Sequence, residues 1–270
     1  MFDDIQHIGY LIDDLDAGIA WFAKAFGAIN AGGTEMQKGP IIASGGRNAF
    51  VRFGDVEVEL MQPGDTTGLA PGRLVMHHVG YVVADITTAA AAARSRGLTF
   101  LSDAPYTNPM GQQVHYLDPA GTHGVWIHLT QVPPKPTAPP SSPWIVDVVH
   151  PGYLVPDLDV ATAWYVEKLG ARPIGGGLSR TGGRIAFLTC GSAQVELIEA
   201  PAGTIAGPGH VLDHVGYQTK SLDADLDLYR TRGLGFQTDA PVVNPIGQRL
   251  IYLDTATSLG ARMHLTELPG

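Results

Sequence analysis

Apolar and polar positions follow two periods along this chain. Around residues 15–26, Leu15, Ile19, Phe22 and Phe26 recur at spacings of 4, 3 and 4, which places them on one helical face. Asp14 stands where an N-cap belongs and Gly27 where a helix stops. Ala49-Phe50-Val51-Arg52-Phe53 and Val56-Glu57-Val58-Glu59-Leu60 read as short strands with turn residues between them. A strand carrying His-x-Gly-Tyr precedes the helix. That order returns four times, with His-x-Gly-Tyr starting at His7, His78, His150 and His214, and with helices ending at Gly27, Gly97, Gly170 and Gly233. The pattern predicts an α+β protein of four βαβββ modules.

The modules pair into halves. Residues 131–143 are rich in proline, which makes a stiff connector that cannot enter a sheet interior. It separates an expected first domain, 1–130, from a second, 144–270. The halves echo each other: Val58-Glu59-Leu60 matches Val195-Glu196-Leu197, and His128-Leu129-Thr130 matches His264-Leu265-Thr266.

Composition narrows the function. Of 270 residues 44% are apolar, enough for real cores, and the formal net charge of −9 argues against nucleic acid or an anionic membrane as partner. A single cysteine, Cys190, excludes an internal disulfide. No stretch approaches a membrane span, and the N-terminus lacks the basic and apolar regions of a signal peptide. The expectation is a cytoplasmic protein, monomer or homodimer, acting on a small molecule.

The candidate chemistry lies in the histidines. On each His-x-Gly-Tyr strand His and Gly point one way, while the middle residue and Tyr point the other. Ten histidines occur, and six fall at repeated positions: His7, His78 and His128, then His150, His214 and His264. Glu59 and Glu196 are the repeated carboxylates. Three imidazoles and a carboxylate make a divalent-metal site, with Fe, Zn, Mn, Co and Ni all suited to it. Satisfied structural histidines with two exposed glutamates are the other reading. Strand periodicity leaves open whether His7 and Glu59 join His78 and His128, or His214 and His264. The glycine of each motif, on the His face, is expected to keep space beside the metal for a substrate.

His-x-Gly-Tyr before an Asp-Leu-Asp helix start, Val-Glu-Leu, and the loop Asp118-Pro-Ala-Gly-Thr-His-Gly-Val125 resemble the vicinal oxygen chelate superfamily over nearly all of both halves. That superfamily includes glyoxalases, bleomycin resistance proteins and extradiol dioxygenases, and the loop looks most like the methylmalonyl-CoA epimerase branch. The resemblance implies two half-open β-barrels and metal ligands at His7, Glu59, His78, His128, His150, Glu196, His214 and His264. Two departures stand out. Both halves carry His on the final strand where epimerases and glyoxalases usually have Glu. The third-strand regions Arg47-Asn48-Ala49-Phe50 and Arg184-Ile185-Ala186-Phe187 also lack the Glu that epimerases often use as base.

The remaining candidates surround those ligands. Glu57 and His115 are expected as catalytic bases, His115 standing where extradiol dioxygenases have a catalytic Tyr. Trp126, Arg262, Tyr116 and Tyr252 are candidates for substrate contact, against core packing for Trp126. Asn108 and Gln112, with Asn244 and Gln248, either cover the pocket or brace a turn. Arg47 and Arg184 meet a substrate anion or form surface salt bridges. The function implied is a metal-dependent enzyme that chelates two adjacent substrate oxygens and stabilises an enediolate for isomerisation, epimerisation or elimination. The alternatives are a non-haem metal dioxygenase and a ligand-sequestering resistance protein.

Overall fold

The computed structural model describes residues 2–108, 110–132, 144–179, 182–205 and 207–269. The proline-rich connector lies, from residue 133 on, outside the described residues. The first module runs β1 (Asp4–Leu11), α1 (Leu15–Phe26), β2 (Ile29–Met36), β3 (Gly46–Phe53) and β4 (Val56–Pro63). The second runs β5 (Val75–Val82), α2 (Ile86–Ser95), β6 (Tyr106–Thr107), β7 (Gln113–Tyr116) and β8 (Trp126–Gln131). The third is β9 (Ile145–Val155), α3 (Leu158–Trp164), β10 (Arg172–Leu178), β11 (Arg184–Cys190) and β12 (Ala193–Glu199), with a π-helical turn, Tyr165–Leu169, extending α3. The fourth is β13 (Val211–Thr219), α4 (Leu222–Thr231), β14 (Val242–Val243), β15 (Arg249–Tyr252) and β16 (Arg262–Glu267). This is the α+β, four-module order that the sequence pattern predicts.

Local chemistry sets the helix ends. Asp14 accepts from the Ala17 N–H at 3.0 Å, and Asp85, Asp157 and Ser221 cap the other helices in the same way. Gly27, Gly97, Gly170 and Gly233 follow the helices with φ between 68° and 89°, a left-handed conformation that suits glycine.

Each half closes its own curled eight-stranded sheet. The orders are β2-β3-β4-β1-β5-β8-β7-β6 and β10-β11-β12-β9-β13-β16-β15-β14. The modules join where β1 meets β5 and β9 meets β13, both antiparallel. The outer pairs β1–β4 and β5–β8 are parallel, as are β9–β12 and β13–β16.

The two halves share one continuous apolar cluster. The motif tyrosines Tyr10, Tyr81, Tyr153 and Tyr217 are all fully buried in it, and the Tyr10 and Tyr217 hydroxyls meet at 3.3 Å. Phe26 and Phe53 pack on the Tyr217 ring at 5.7 and 5.4 Å. Thus the His face of each motif strand turns to its own half, and the Tyr face turns to the other half.

Polar contacts across this seam come in pseudo-symmetric pairs. Arg96 donates to the Lys168 carbonyl and Arg232 to the Lys24 carbonyl. The Leu74 N–H donates to Leu259 O, and the His210 N–H to His123 O, both at 2.8 Å. Among the described residues His123 and Leu259 are also the non-glycine residues with positive φ, at 56° and 49°. That backbone is unfavourable for residues with a Cβ, and here it turns each carbonyl toward the other half. Where one pair is two leucines, the other is two imidazoles stacked 4.4 Å apart. Among the described residues no helix is long and apolar enough to cross a membrane.

Two outcomes follow from the seam. Tyr217→Ala should lower stability by about 3–5 kcal/mol, as for other buried aromatic truncations, within a single unfolding transition for the whole chain. Two separated calorimetric transitions would contradict a shared core. His210 is held down from 6.5 to about 4 by burial, with His123 adding to the effect. The unfolded chain takes this proton near pH 6.5 and the folded chain only near 4, so its contribution is complete above pH 6.5 and is lost as pH falls toward 4. Melting temperatures over that range should fall less steeply for His210→Leu, which copies the leucine pair.

Candidate metal centres

The cross-strand register builds each centre. In the first half Gly9 lies opposite both Glu59 and His78, and Gly80 lies opposite both His7 and His128. In the second half Gly152 lies opposite Glu196 and His214, and Gly216 opposite His150 and His264. A motif histidine therefore always faces a motif glycine on the next strand. A Cβ on Gly9 would fall 2.1 Å from His78 Cε1, and on Gly80 it would fall 2.3 Å from His128 Cε1. The same contacts are 2.0 and 2.4 Å for Gly152 with His214 and Gly216 with His264. This corrects the expectation that the glycines keep room for substrate: the space they leave is filled by imidazole.

The ligand candidates converge within each half, not between halves. Nε2 of His7 lies 2.8 Å from Nε2 of His78 and 3.2 Å from that of His128. Glu59 Oε2 reaches His7 and His78 at 3.4 and 3.2 Å. In the second half Glu196 Oε2 lies 3.1 Å from Nε2 of both His150 and His214, and His264 Nε2 lies 3.2 Å from that of His150. All eight side chains are buried.

Hydrogen bonds behind the imidazoles show what these donor sets need. Arg52 holds the Glu57 carboxylate, which accepts from Gln6 Nε2 at 2.5 Å. A carboxylate only accepts, so the Gln6 amide must turn its oxygen to His7 Nδ1, where it forms a short hydrogen bond. His7 then donates from Nδ1 and directs the Nε2 lone pair at the neighbouring imidazoles and carboxylate. In the second half His214 Nδ1 faces Asp213 at 3.0 Å, and Arg262 clamps Asp213 at 2.6 Å. His214 Nε2 is thereby directed as an acceptor at the Glu196 oxygen. Two acceptors face each other at hydrogen-bond distance, and a cation or a proton must lie between them. The residues fit a divalent cation, and the partners behind His7 and His214 fix those rings as metal-binding histidines require. Thr130 and Thr266 repeat that role on His128 and His264, both at 2.7 Å.

Protonation follows the same contacts. Burial alone would raise the Glu59 carboxyl, but hydrogen bonds from His7 and His78 outweigh it and hold it well below the usual range. Glu196 is lowered in the same way by His150 and His214. Burial opposes charge on His214, yet Asp213 and Glu196 raise it to about 9. Burial drives His77 down to about 3, with His78 adding to the effect.

The shells differ between halves. His7 has Gln6 and Glu57 behind it, whereas the Nδ1 of its counterpart His150 is buried without a partner among the described residues. Asn48 donates to Glu59 Oε1 at 2.5 Å, and the matching residue, Ile185, cannot. Conversely, His78 Nδ1 meets neutral His77 at 3.0 Å where His214 meets charged Asp213.

The first centre opens onto a cavity of about 390 Å³, with His7, Glu59 and His128 in its wall. The nine residues that join β2 to β3, 37–45, supply Gln37, Gly39, Pro40, Ile41 and Ile42 to the wall. In the second half only five residues, 179–183, join β10 to β11. There the 245–246 turn lies on β10, with Ile246 Cγ2 2.5 Å from a Cβ built on Gly175.

The other expected site residues sort by strand face. Tyr116 lines the cavity and packs 4.7 Å from the His128 ring, and Tyr252 lies 4.9 Å from His264. His115, the next residue along β7, points to the opposite face. Its ring stacks on Phe100 at 3.9 Å and meets Ser102 O at 2.9 Å, so it does not reach the centre as a base. Glu57 is likewise no free base, because Arg52 and Gln6 occupy its oxygens. Arg262 is held by Asp213, and Trp126 stacks on His77 and does not line the cavity. Asn108 and Asn244 each bind the backbone and side chain of Gln112 and Gln248, bracing a turn. Arg47 pairs with Asp16 and Arg184 with Asp159, as surface ion pairs. Glu35, on the cavity wall, was not anticipated. Its strand, Ile29–Met36, is glycine-rich and lacks an alternating pattern to assign faces.

A profile described as the Glyoxalase/Bleomycin resistance protein/Dioxygenase superfamily matches residues 6–116 and again 149–252. The chain belongs to this superfamily. No curated protein sequence matches it. Among solved structures it is similar in fold to a triple mutant of 4-hydroxymandelate synthase from Streptomyces coelicolor. That match has a TM-score of 0.72 and 12% identity, covering 100% of this chain and 94% of that one. The Mn(II)-bound glyoxalase from Novosphingobium aromaticivorans gives 0.71 and 15%, covering 98% and 82%. A methylmalonyl-CoA epimerase variant from Streptomyces coelicolor is 26% identical over 50% of this chain and 100% of that one, with a TM-score of 0.42. Two tandem superfamily repeats thus account for the four modules.

Purified protein should carry two divalent ions per chain by elemental analysis, falling to one in His7→Ala and to one in His150→Ala. Gly9→Ala should displace His78, lose one ion and cost about 1–3 kcal/mol as an overpacked site. Full metal content in that variant would contradict the ring-on-glycine packing.

Proposed function

We propose that the protein is a metal-dependent enzyme of the isomerase, epimerase or lyase type, acting on a small molecule with two adjacent oxygens. The observation that carries this reading is the convergence of His7, Glu59, His78 and His128 on one point, with His7, Glu59 and His128 in the wall of a cavity large enough for a small substrate. A divalent ion held by those four residues would supply Lewis acidity to the two oxygens, making the adjacent C–H acidic and an enediolate accessible. Zn, Fe, Mn, Co and Ni all suit this donor set. We assign the second centre, His150, Glu196, His214 and His264, to a bound ion of the same kind. The shorter β10–β11 connection leaves that ion less room for substrate.

The chain's own residues take the remaining roles. Glu35 is the wall carboxylate free of the ligand cluster, and we assign it the proton that leaves carbon and returns to it. Asn48 fixes Glu59 Oε1, leaving Oε2 for the ion. Tyr116, buried beside His78 and His128, shapes the cavity floor. Tyr106 stands at the mouth, its hydroxyl pushed up to about 12 by burial and by Glu59, so it remains a neutral donor. Two tandem domains, 1–130 and 144–270, joined by the connector 131–143, a cytoplasmic location and a monomeric or homodimeric state complete the reading.

The test is solvent exchange. Under anaerobic conditions in D₂O, the metal-loaded chain should put deuterium at the exchangeable carbon of a responsive α-hydroxyketone or β-dicarbonyl. Glu35→Gln should slow that exchange by roughly 10²–10⁴-fold with unchanged metal content. Oxygen uptake by the iron-loaded chain, with no anaerobic exchange, would overturn this reading in favour of oxygenation. Tight ligand binding without turnover, indifferent to metal, would favour sequestration.

A further inference from the structure

We propose that the first cavity selects substrates with an apolar, uncharged body behind the chelating oxygens, and rejects phosphorylated, coenzyme-A-linked or otherwise anionic tails. This rests on reading the centre as a substrate site. Four observations carry it.

The first is the cavity's charge. None of the described residues lining it is Lys or Arg, while two are carboxylates, Glu35 and Glu59. Arg47 and Arg52, on the strand that carries the wall residues Asn48 and Phe50, are already held, Arg47 by Asp16 and Gln62 and Arg52 by Glu57, and Lys38 is exposed and does not line the wall. An anionic tail would lose its water against a wall that offers no cation. Binding a phosphate there would leave a charge unpaired in a low-dielectric site.

The second is the wall's chemistry. Met36, Met61 and Met110 stand on three different segments around the cavity, with Ile41, Ile42 and Val114 between them. Thioethers are polarizable and conform to varied apolar or aromatic shapes. Phe50 and Tyr116 add flat surface next to the ligand cluster, with Phe50 5.7 Å from the His7 ring. The wall is therefore built to grip a ring or a branched chain.

The third is the arrangement of polar groups. Glu59, Asn48 and Thr34 are tied to one another: Asn48 donates to Glu59 and accepts from Thr34. Asn108 is likewise committed to its own turn. Uncommitted polarity is thus left at the metal end and among the exposed residues Tyr106, Glu35 and Gln37. The pocket is polar where the oxygens bind and apolar along its length.

The fourth is volume. About 390 Å³ suits a compact molecule at the small end of ligand pockets. It leaves no place for a nucleotide handle inside the cavity.

The experiment compares two tropolones with the same chelating head, one bearing an isopropyl group and one a sulfonate. Each is titrated calorimetrically into the zinc-loaded full chain. The isopropyl compound should bind at least tenfold more tightly, about 1.4 kcal/mol. Met110→Lys, at a half-buried wall position, puts a cation in the wall and should tighten the sulfonate at least tenfold. Equal affinities in the native chain, or a preference for the sulfonate, overturn the class assignment and leave the metal reading intact. Failure of both compounds to bind, with zinc content unchanged, overturns the reading of the centre as a substrate site. A sulfonate affinity unmoved by Met110→Lys places binding outside this cavity and also overturns the proposal.

Discussion

At four places in the molecule an imidazole fills the space that a β-carbon would occupy on the neighbouring strand. The pairs are Gly9 with His78, Gly80 with His128, Gly152 with His214 and Gly216 with His264. This contact sets the distance between strands' side chains at each centre, and it works only in one register. A slip of one residue would set a Cβ against the ring and turn the remaining imidazoles to the opposite face. Everything else in each half is arranged around that register: parallel β4 and β8 flank the antiparallel β1–β5 pair and bring Glu59 and His128 to the same point. The same register sends Tyr10 and Tyr81 through to the other face, where they join the shared core. Metal chemistry and domain packing are thus two faces of one pairing.

The halves keep that arrangement and vary what lies behind it. Around His7, a relay from Arg52 through Glu57 and Gln6 fixes which nitrogen carries the proton. Around His214, a single charged pair, Asp213 with Arg262, does so. The Asp213 carboxylate beside Nδ1 raises the basicity of the His214 ring. A neutral relay next to an open cavity and a charged one under a closed turn give two donor sets of the same residue types different surroundings.

Much of this was legible in the chain. The motif strands, helix caps and repeated Glu and His positions follow from periodicity and from matching the halves. What escaped was face assignment on short strands. His115 and Tyr116 are neighbours on a four-residue strand, so alternation lets only one of them face the centre, and the pairing of Tyr116 with His128 decides which. Glu57 does share the Glu59 face, but Arg52 lies directly opposite it and neutralises it, a cross-strand pair visible only once the hairpin is in register. Glu35 gave no signal because its strand is mostly solvent-exposed, with two glycines at its centre, leaving no apolar rhythm to read. The glycines in His-x-Gly-Tyr were noticed but given the wrong neighbour, since what fills the space beside a glycine lies on another strand.

The unequal connections between β2 and β3 and between β10 and β11 separate two properties that most binding sites entangle. Ligand geometry is carried by the central strands, while access is carried by a hairpin at the sheet edge that touches no ligand. Lengthening 179–183 toward the nine residues of 37–45 would leave the second donor set in place and give it a new entrance. The protein therefore holds a ready-made scaffold in which reactivity is inherited from the sheet and selectivity can be rewritten one loop at a time.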